Sequence, residues 1–213
     1  MIEMSTPQIV DKERAMKRLK QVRVTVLECP ISGTAIRMKE GGWTIFASGS
    51  ATACKSVSDA FTRNAPYVGA FGNGNKMKFI ANHLVAIYNG AVGESLTFAH
   101  KMGLDPRQVW NLFAASPVVG AGVFKLRGKF TVERKYLPAT MKVEVWQKDM
   151  QVIGDMAKSV DCRRPLFSAC VPTYSAAMAQ GLCQYDTASV FEVLDAMAGG
   201  HRLRRMRIAS PSA

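Results

Sequence analysis

The apolar positions of this chain fall into two regimes. Up to Gly74 short apolar runs alternate with amphipathic stretches; beyond it they recur at helical spacing almost to the end. In the first regime Ile2–Thr6 predicts a short strand, and Pro7 and Gln8 open a charged helix to about Val22 with Ile9, Met16 and Leu19 as its apolar stripe. Val24–Leu27 is a largely β-branched run, the pattern of a strand covered on both faces, and Pro30 stops it. Thr34–Glu40 predicts a short helix, Gly41-Gly42 a turn and Trp43–Ala47 another strand. Ser50 or Thr52 then caps a helix from about Ala53 to Arg63. Strand, helix, strand, strand, helix in so compact a stretch is an α/β pattern.

The second regime is all helical. Asn75 to about Met102 is periodic, free of proline, and closed by Gly103. Asp105 as N-cap and Pro106 at the first position restart a helix that halts before Pro117. Val118–Pro138 reads as a basic, glycine-containing loop. Met141–Val160 is amphipathic, with Trp146, Met150, Ile153 and Ala157 on one stripe. Pro172–Gln184 and Thr187–Ala198 are two more helices, the second capped by Asp186. Phe79–Ala99 is apolar enough to raise a membrane span, but it contains Asn82, His83, Asn89 and Glu94, each costly in hydrocarbon, which favours a buried soluble helix and no membrane partner.

Composition narrows the partners. The 213 residues are 48% hydrophobic, enough for one domain or two small ones. A net charge of +12 favours anionic partners. Part of the excess lies in His201–Arg207, which reads either as a solvated tail or as a nucleic-acid arm. The chain shows no nucleic-acid motif and its aromatics do not alternate with basic residues, so no nucleic-acid partner is expected. The cysteines are odd in number and scattered, and the histidines lie far apart. Neither a disulfide framework nor a metal site follows; a reducing, cytoplasmic setting does.

The richest chemistry lies in residues 72–82, GNGNKMKFIAN, where Lys78 and Asn82 sit four apart on one face of a helix start. An ammonium and an amide so placed can protonate and hold a carbonyl or alcohol oxygen, and partial burial would bring the lysine pKa into a useful range. The competing reading is a solvated surface lysine. Ser32-Gly33-Thr34, after an apolar strand, exposes N–H groups and hydroxyls that can bind a carboxylate, or is an ordinary turn. Lys148-Asp149 can contact a cofactor or form a plain surface ion pair. Gly122–Lys129 resembles a P-loop, but five residues separate its glycines and Phe130 replaces the magnesium-binding hydroxyl. GNGNKM lacks the third glycine of a dinucleotide fingerprint and opens a helical region instead of a βαβ unit.

Together these stretches resemble the 3-hydroxyisobutyrate dehydrogenase family of β-hydroxyacid dehydrogenases. Leu27–Thr34 (LECPISGT) is similar to the family's D-A-P-V-S-G-G substrate motif, and Gly72–Asn82 matches its catalytic G-x-G-x-x-x-K-x-x-x-N. Lys148-Asp149 matches its K-D pair. Ile2–Thr6 is similar to its D-x-S-T strand, Gly41–Ile45 to G-x-L-T-I, and Gly103-Leu104-Asp105-Pro106 recurs in the family. The pieces are collinear over residues 1 to about 199.

The resemblance implies roles. Lys78 would be the general acid/base; Ser32 and Gly33, with Thr34 beside them, would hold the substrate carboxylate; Asn82 would bind its oxygen functions. Thr6 would meet the nicotinamide end of NAD or NADP, and Lys148 would reach the cofactor or the cleft. The reaction would be hydride exchange between NAD(P) and a small 3-hydroxy acid or semialdehyde. The expected architecture is an α/β remnant holding the C-terminal strands of a Rossmann-like sheet (residues 1–74), an all-α helical domain (75–199) that supports a homo-oligomer, and a basic tail (200–213). The family's opening G-x-G-x-x-G unit is not in these residues, so impaired dinucleotide binding and turnover are expected of an N-terminally shortened enzyme. The alternative is a non-catalytic helical dimerisation module derived from one. Thr34 in place of glycine and Glu28 in place of aspartate leave substrate choice open.

Overall fold

The computed structural model describes residues 1–34, 42–57 and 64–200. The expected helix over Thr34–Glu40 lies, beyond Thr34, outside the described residues, as do the last turns of the helix expected to reach Arg63 and the basic run from His201. The chain divides into two compact units, Met1–Ala86 with Val145–Phe167, and Ile87–Glu144 with Ser168–Ala213.

In the first unit, β1 (Ile2–Glu3) pairs in parallel with β2 (Leu27–Glu28), Ile2 opposite Leu27. The helix α1 (Ile9–Gln21) connects them. Strand β2 starts three residues later than the β-branched run predicts. The N–H groups of Val22, Arg23 and Val24 turn back onto the carbonyls of Leu19 and Lys20, so the start of that run serves as the exit from α1. After Pro30, β3 (Ile31–Ser32) pairs antiparallel with β4 (Thr44–Ile45). The short helix α2 (Ala51–Ser56) has Ser50 as N-cap, its hydroxyl accepting from the Ala53 N–H. Leu27, Cys29, Ile45, Ala47 and Cys54 form the core here.

The long helix α3 (Asn73–Lys101) begins in the first unit and ends in the second. Phe79, Asn82, Ala86, Asn89, Val92, Leu96 and Ala99, all buried, recur every three or four residues along it. Gly103 ends it with a φ of +80°, where the Leu104 N–H reaches the Ala99 carbonyl. Among the described residues no helix is long and apolar enough to cross a membrane. The helix α4 (Pro106–Ala115) starts as predicted, with the Asp105 carboxylate accepting from the Arg107 N–H.

The segment read as a loop from Val118 to Pro138 contains a helix, α5 (Gly122–Glu133). Its buried residues, Phe124, Arg127, Gly128 and Thr131, have perfect helical spacing. Only one is a large apolar side chain, so a hydrophobicity pattern misses the stripe. Gly128 is there because a Cβ would lie 2.6 Å from the Trp110 ring, and Arg127 is there because Asp186 awaits it.

The helix α6 (Val143–Ser159) buries Trp146, Asp149, Met150, Val152 and Ile153. The next, α7 (Pro165–Ala179), starts seven residues before the predicted Pro172, which sits inside it. A 3₁₀ turn (Thr187–Ser189) leads into α8 (Val190–Met197), with the Asp186 side chain accepting from the Ala188 N–H.

Asp186 organises the second unit. Fully buried, its carboxylate pairs with Arg127 and accepts from the Thr140 N–H and hydroxyl, each at 2.8 Å, and from the Met141 N–H at 3.3 Å. Removing one partner of such a pair leaves the other charge buried and uncompensated, a cost of about 3–5 kcal/mol. Asp186→Ala is therefore expected to lower unfolding stability by that amount in denaturant titration.

Candidate active site

All seven residues assigned roles by the sequence, Thr6, Ser32, Gly33, Thr34, Lys78, Asn82 and Lys148, belong to the first unit. Lys78 and Asn82 lie in the first turns of α3, three and seven residues beyond Asn75. The Lys78 amine makes no hydrogen bond among the described residues. Burial pushes its pKa below the ordinary lysine value, the Asp149 carboxylate pulls it back up, and the Lys148 ammonium lowers it.

Asp149 is the residue that sequence reasoning underrated. It sits on the buried stripe of α6, 7% exposed. Its Oδ2 accepts from Asn82 Nδ2 at 3.2 Å and its Oδ1 pairs with Lys148 Nζ at 3.0 Å. The Lys148 ammonium also reaches the Thr6 carbonyl at 3.2 Å and the Thr6 hydroxyl at 3.5 Å. Thr6, Lys148, Asp149 and Asn82 thus form one connected polar set. The signal was present, since Asp149 falls between Trp146 and Met150 at the spacing of the apolar stripe.

The segment before α1 is held by its carbonyls. The Ser5 carbonyl accepts from Lys12 Nζ at 2.6 Å, that of Thr6 from Lys148, and that of Pro7 from Asn75 Nδ2 at 3.0 Å. The Thr6 side chain therefore stands on a backbone with little freedom to shift.

Ser32 and Gly33 occupy the end of β3. Gly33 has a φ of +144°, and a Cβ there would lie 2.9 Å from Trp43 Cβ, so both the backbone and the space require glycine. The Thr34 hydroxyl is buried with no hydrogen-bond partner among the described residues. No hydrogen bond joins this turn to Lys78, Asn82 or Lys148 among them. Its tie to α3 runs through the strand behind it. Gly74 packs so closely that a Cβ would meet the Phe46 carbonyl at 2.6 Å and Pro30 Cδ at 2.9 Å. Gly72, with a φ of +97°, makes the turn into the helix. These two contacts explain the first two glycines of the GNGN stretch without any phosphate.

Thr6 and Lys148 lie together, and the Lys78 amine feels the charges of both Asp149 and Lys148. A cleft of about 520 Å³ in the second unit, lined by His100, Lys101, Arg134 and Asp195 among others, contains none of the site residues. Several of its charged groups are already paired: Arg134 with Glu192 and Asp195, and His100 faces Asp195 at 3.1 Å.

The chain is similar to known proteins over most of its length. The family model described as NAD-binding of NADP-dependent 3-hydroxyisobutyrate dehydrogenase matches residues 72–194. The NAD binding domain of 6-phosphogluconate dehydrogenase matches residues 1–72. The 2-hydroxy-3-oxopropionate reductase of Escherichia coli (strain K12) is 26% identical over 205 residues, 95% of this chain and 69% of that protein. The chloroplastic glyoxylate/succinic semialdehyde reductase 2 of Arabidopsis thaliana is 25% identical over 198 residues, 92% of this chain and 55% of that protein. The chain thus spans between about half and about two thirds of the length of these relatives. A crystal structure of 3-hydroxyisobutyrate dehydrogenase from Salmonella typhimurium has the same fold, with a TM-score of 0.82 at 23% identity over 90% of this chain and 68% of that one. The match over residues 72–194 covers more than half of the sequence, and the chain belongs to the 3-hydroxyisobutyrate dehydrogenase family of NAD(P)-dependent β-hydroxyacid dehydrogenases.

Proposed function

We propose that this chain carries the substrate-gripping and proton-transferring part of an NAD(P)-dependent oxidoreductase acting on a small 3-hydroxy acid or the matching semialdehyde. The observation that carries this reading is the state of Lys78: an amine half shielded from water, unbonded among the described residues, and electrostatically coupled to Asp149. Lys78 donates a proton to the carbonyl oxygen on reduction and takes it back on oxidation. Asn82, held by Asp149, orients the oxygen being protonated. The Ser32 hydroxyl and the N–H groups of the Gly33 turn grip the substrate carboxylate, with the unpartnered Thr34 hydroxyl beside them. Thr6 and Lys148 hold the nicotinamide end of the cofactor, which supplies or accepts the hydride when bound.

The substrate class fits both the charge and the relatives. The Escherichia coli relative is named for 2-hydroxy-3-oxopropionate and the Arabidopsis one for glyoxylate and succinic semialdehyde, all small carboxylates bearing an aldehyde. A chain of net charge +12 attracts such anions. The second reading, a helical association module, rests on Met77, Ile80, Leu84 and Tyr88, which form an exposed apolar stripe along α3. A second copy of the chain is the partner it implies, to be checked by sedimentation equilibrium.

Three outcomes are expected. Amine-specific labelling read by mass spectrometry reports the neutral form of each lysine. Lys78 in this chain should label with a midpoint below that of a reference lysine peptide, and Asp149→Asn should lower it further, because it removes the negative charge that favours the ammonium.

The same shift bears on stability. With a folded-state pKa below the unfolded one, the unfolded chain binds the extra proton between the two values, so stability rises with pH across that interval. Lys78→Met should therefore stabilise the chain most at neutral pH, and the gain should fade as pH approaches the ordinary lysine range.

In an enzyme completed by a glycine-rich nucleotide-binding half, Lys78→Ala should cut the rate of NAD(P)H oxidation with semialdehydes by about 10²–10⁴-fold, and Ser32→Ala should mainly raise KM. An unchanged rate in Lys78→Ala removes the catalytic assignment.

A further inference from the structure

We propose that Glu28 is the positioning residue of this site, the side chain that fixes the Lys78 helix, the substrate turn and the Thr6 segment in one register. The inference rests on the reading of Lys78 as acid/base and extends it to a residue that touches neither substrate nor cofactor.

Glu28 is the last residue of β2, four positions before Ser32, and it is 0% exposed. Its Oε2 accepts from the Gly72 N–H at 2.9 Å, from the Asn75 N–H at 3.2 Å and from the Ser48 hydroxyl at 3.0 Å. The Ser48 Oγ accepts in turn from the Gly74 N–H at 3.1 Å. A helix leaves its first N–H groups without internal partners and carries partial positive charge there. Glu28 and Ser48 together take three of the N–H groups around the start of α3, Glu28 from 44 and 47 residues upstream and Ser48 from 26. Lys78 follows Asn75 by three residues, so the place where the amine emerges depends on this contact.

The other carboxylate oxygen faces Lys12 Nζ at 3.2 Å, and Lys12 is 4% exposed. That ammonium also pairs with Glu3, bonds the Asn75 side-chain oxygen at 2.9 Å and holds the Ser5 carbonyl. Asn75 itself holds the Pro7 carbonyl. The Glu28–Lys12 pair therefore touches the backbone on one side of Thr6 and, through Asn75, the backbone on the other. Along its own strand Glu28 leads through Cys29 to Pro30, which abuts Gly74, and on to the Ser32-Gly33-Thr34 turn. The segments bearing the candidate residues Thr6, Ser32–Thr34 and Lys78 with Asn82 thus converge on one buried carboxylate.

The chain without added cofactor suffices for the test. Far-UV circular dichroism first establishes that the variants fold. In Glu28→Gln, which keeps the shape but loses the charge, amide exchange at Gly72 and Asn75 should quicken. The Lys78 labelling midpoint should also rise toward that of a reference lysine peptide as water reaches the amine. Glu28→Asp, one methylene shorter, should show a smaller rise. A folded Glu28→Gln whose Lys78 midpoint is unchanged, whatever its melting temperature, overturns the proposal and leaves Glu28 a purely stabilising residue. If Glu28→Gln does not fold, Glu28→Asp with exchange and midpoint both unchanged overturns it equally. Wild-type protein whose Lys78 labels like the reference peptide instead defeats the acid/base reading itself, so the two failures are distinct.

Discussion

A carboxylate shut away from water against the start of the longest helix governs the first unit. Glu28 offers one oxygen to the N–H groups that begin α3 and the other to the Lys12 ammonium, itself buried. Isolating either charge would be expensive. Together, with Ser48, Asn75, Glu3 and the Ser5 carbonyl completing their shells, they become an anchor with few alternative arrangements. Short strands of two residues could not by themselves fix the direction of a 29-residue helix. The polar knot between them does, because each of its bonds specifies a direction as well as a distance.

The candidate site inherits that rigidity and adds electrostatic balance. Burial alone would make Lys78 a poor carrier of charge, and a carboxylate at full strength beside it would hold the proton too firmly. Asp149 is shared among Asn82, Lys148 and, at longer range, Lys78, so its influence on the amine is moderated by the competing ammonium of Lys148. The same carboxylate that tempers the lysine also orients the amide one turn further along the helix.

Much of this was legible in the sequence, and much of what was not has a common cause. The stop at Gly103, the cap at Asp105, the stripe of α6 and the Lys78–Asn82 spacing are local features, set within one or two turns of chain. The reading failed where polar residues occupy apolar positions. On α1 the stripe of Ile9, Met16 and Leu19 includes Lys12, the one buried residue of that helix. On α5, Arg127, Gly128 and Thr131 fill three of four inward positions, which made a helix look like a loop. On α6, Asp149 falls inside the stripe. Each of the three charges has a partner far away in sequence: Glu28 for Lys12, Asp186 for Arg127, Asn82 for Asp149. Periodicity treats a charge as a mark of the surface, and only the fold reveals where an ion pair or a hydrogen bond lets it go inside.

The same logic separates the glycines of residues 72–75 from those of a phosphate loop, which they resemble in letters. A phosphate-binding loop must leave its N–H groups free for a ligand anion. Here the N–H groups of Gly72 and Asn75 are given to Glu28, and that of Gly74 to Ser48. Gly72 supplies a positive φ, and Gly74 supplies the missing Cβ that lets the helix press onto the Phe46 carbonyl and Pro30. The anion at this helix start is the protein's own, covalently part of the strand that leads to Ser32. The glycines therefore act at one remove: they let a carboxylate reach the helix, and the helix carries Lys78.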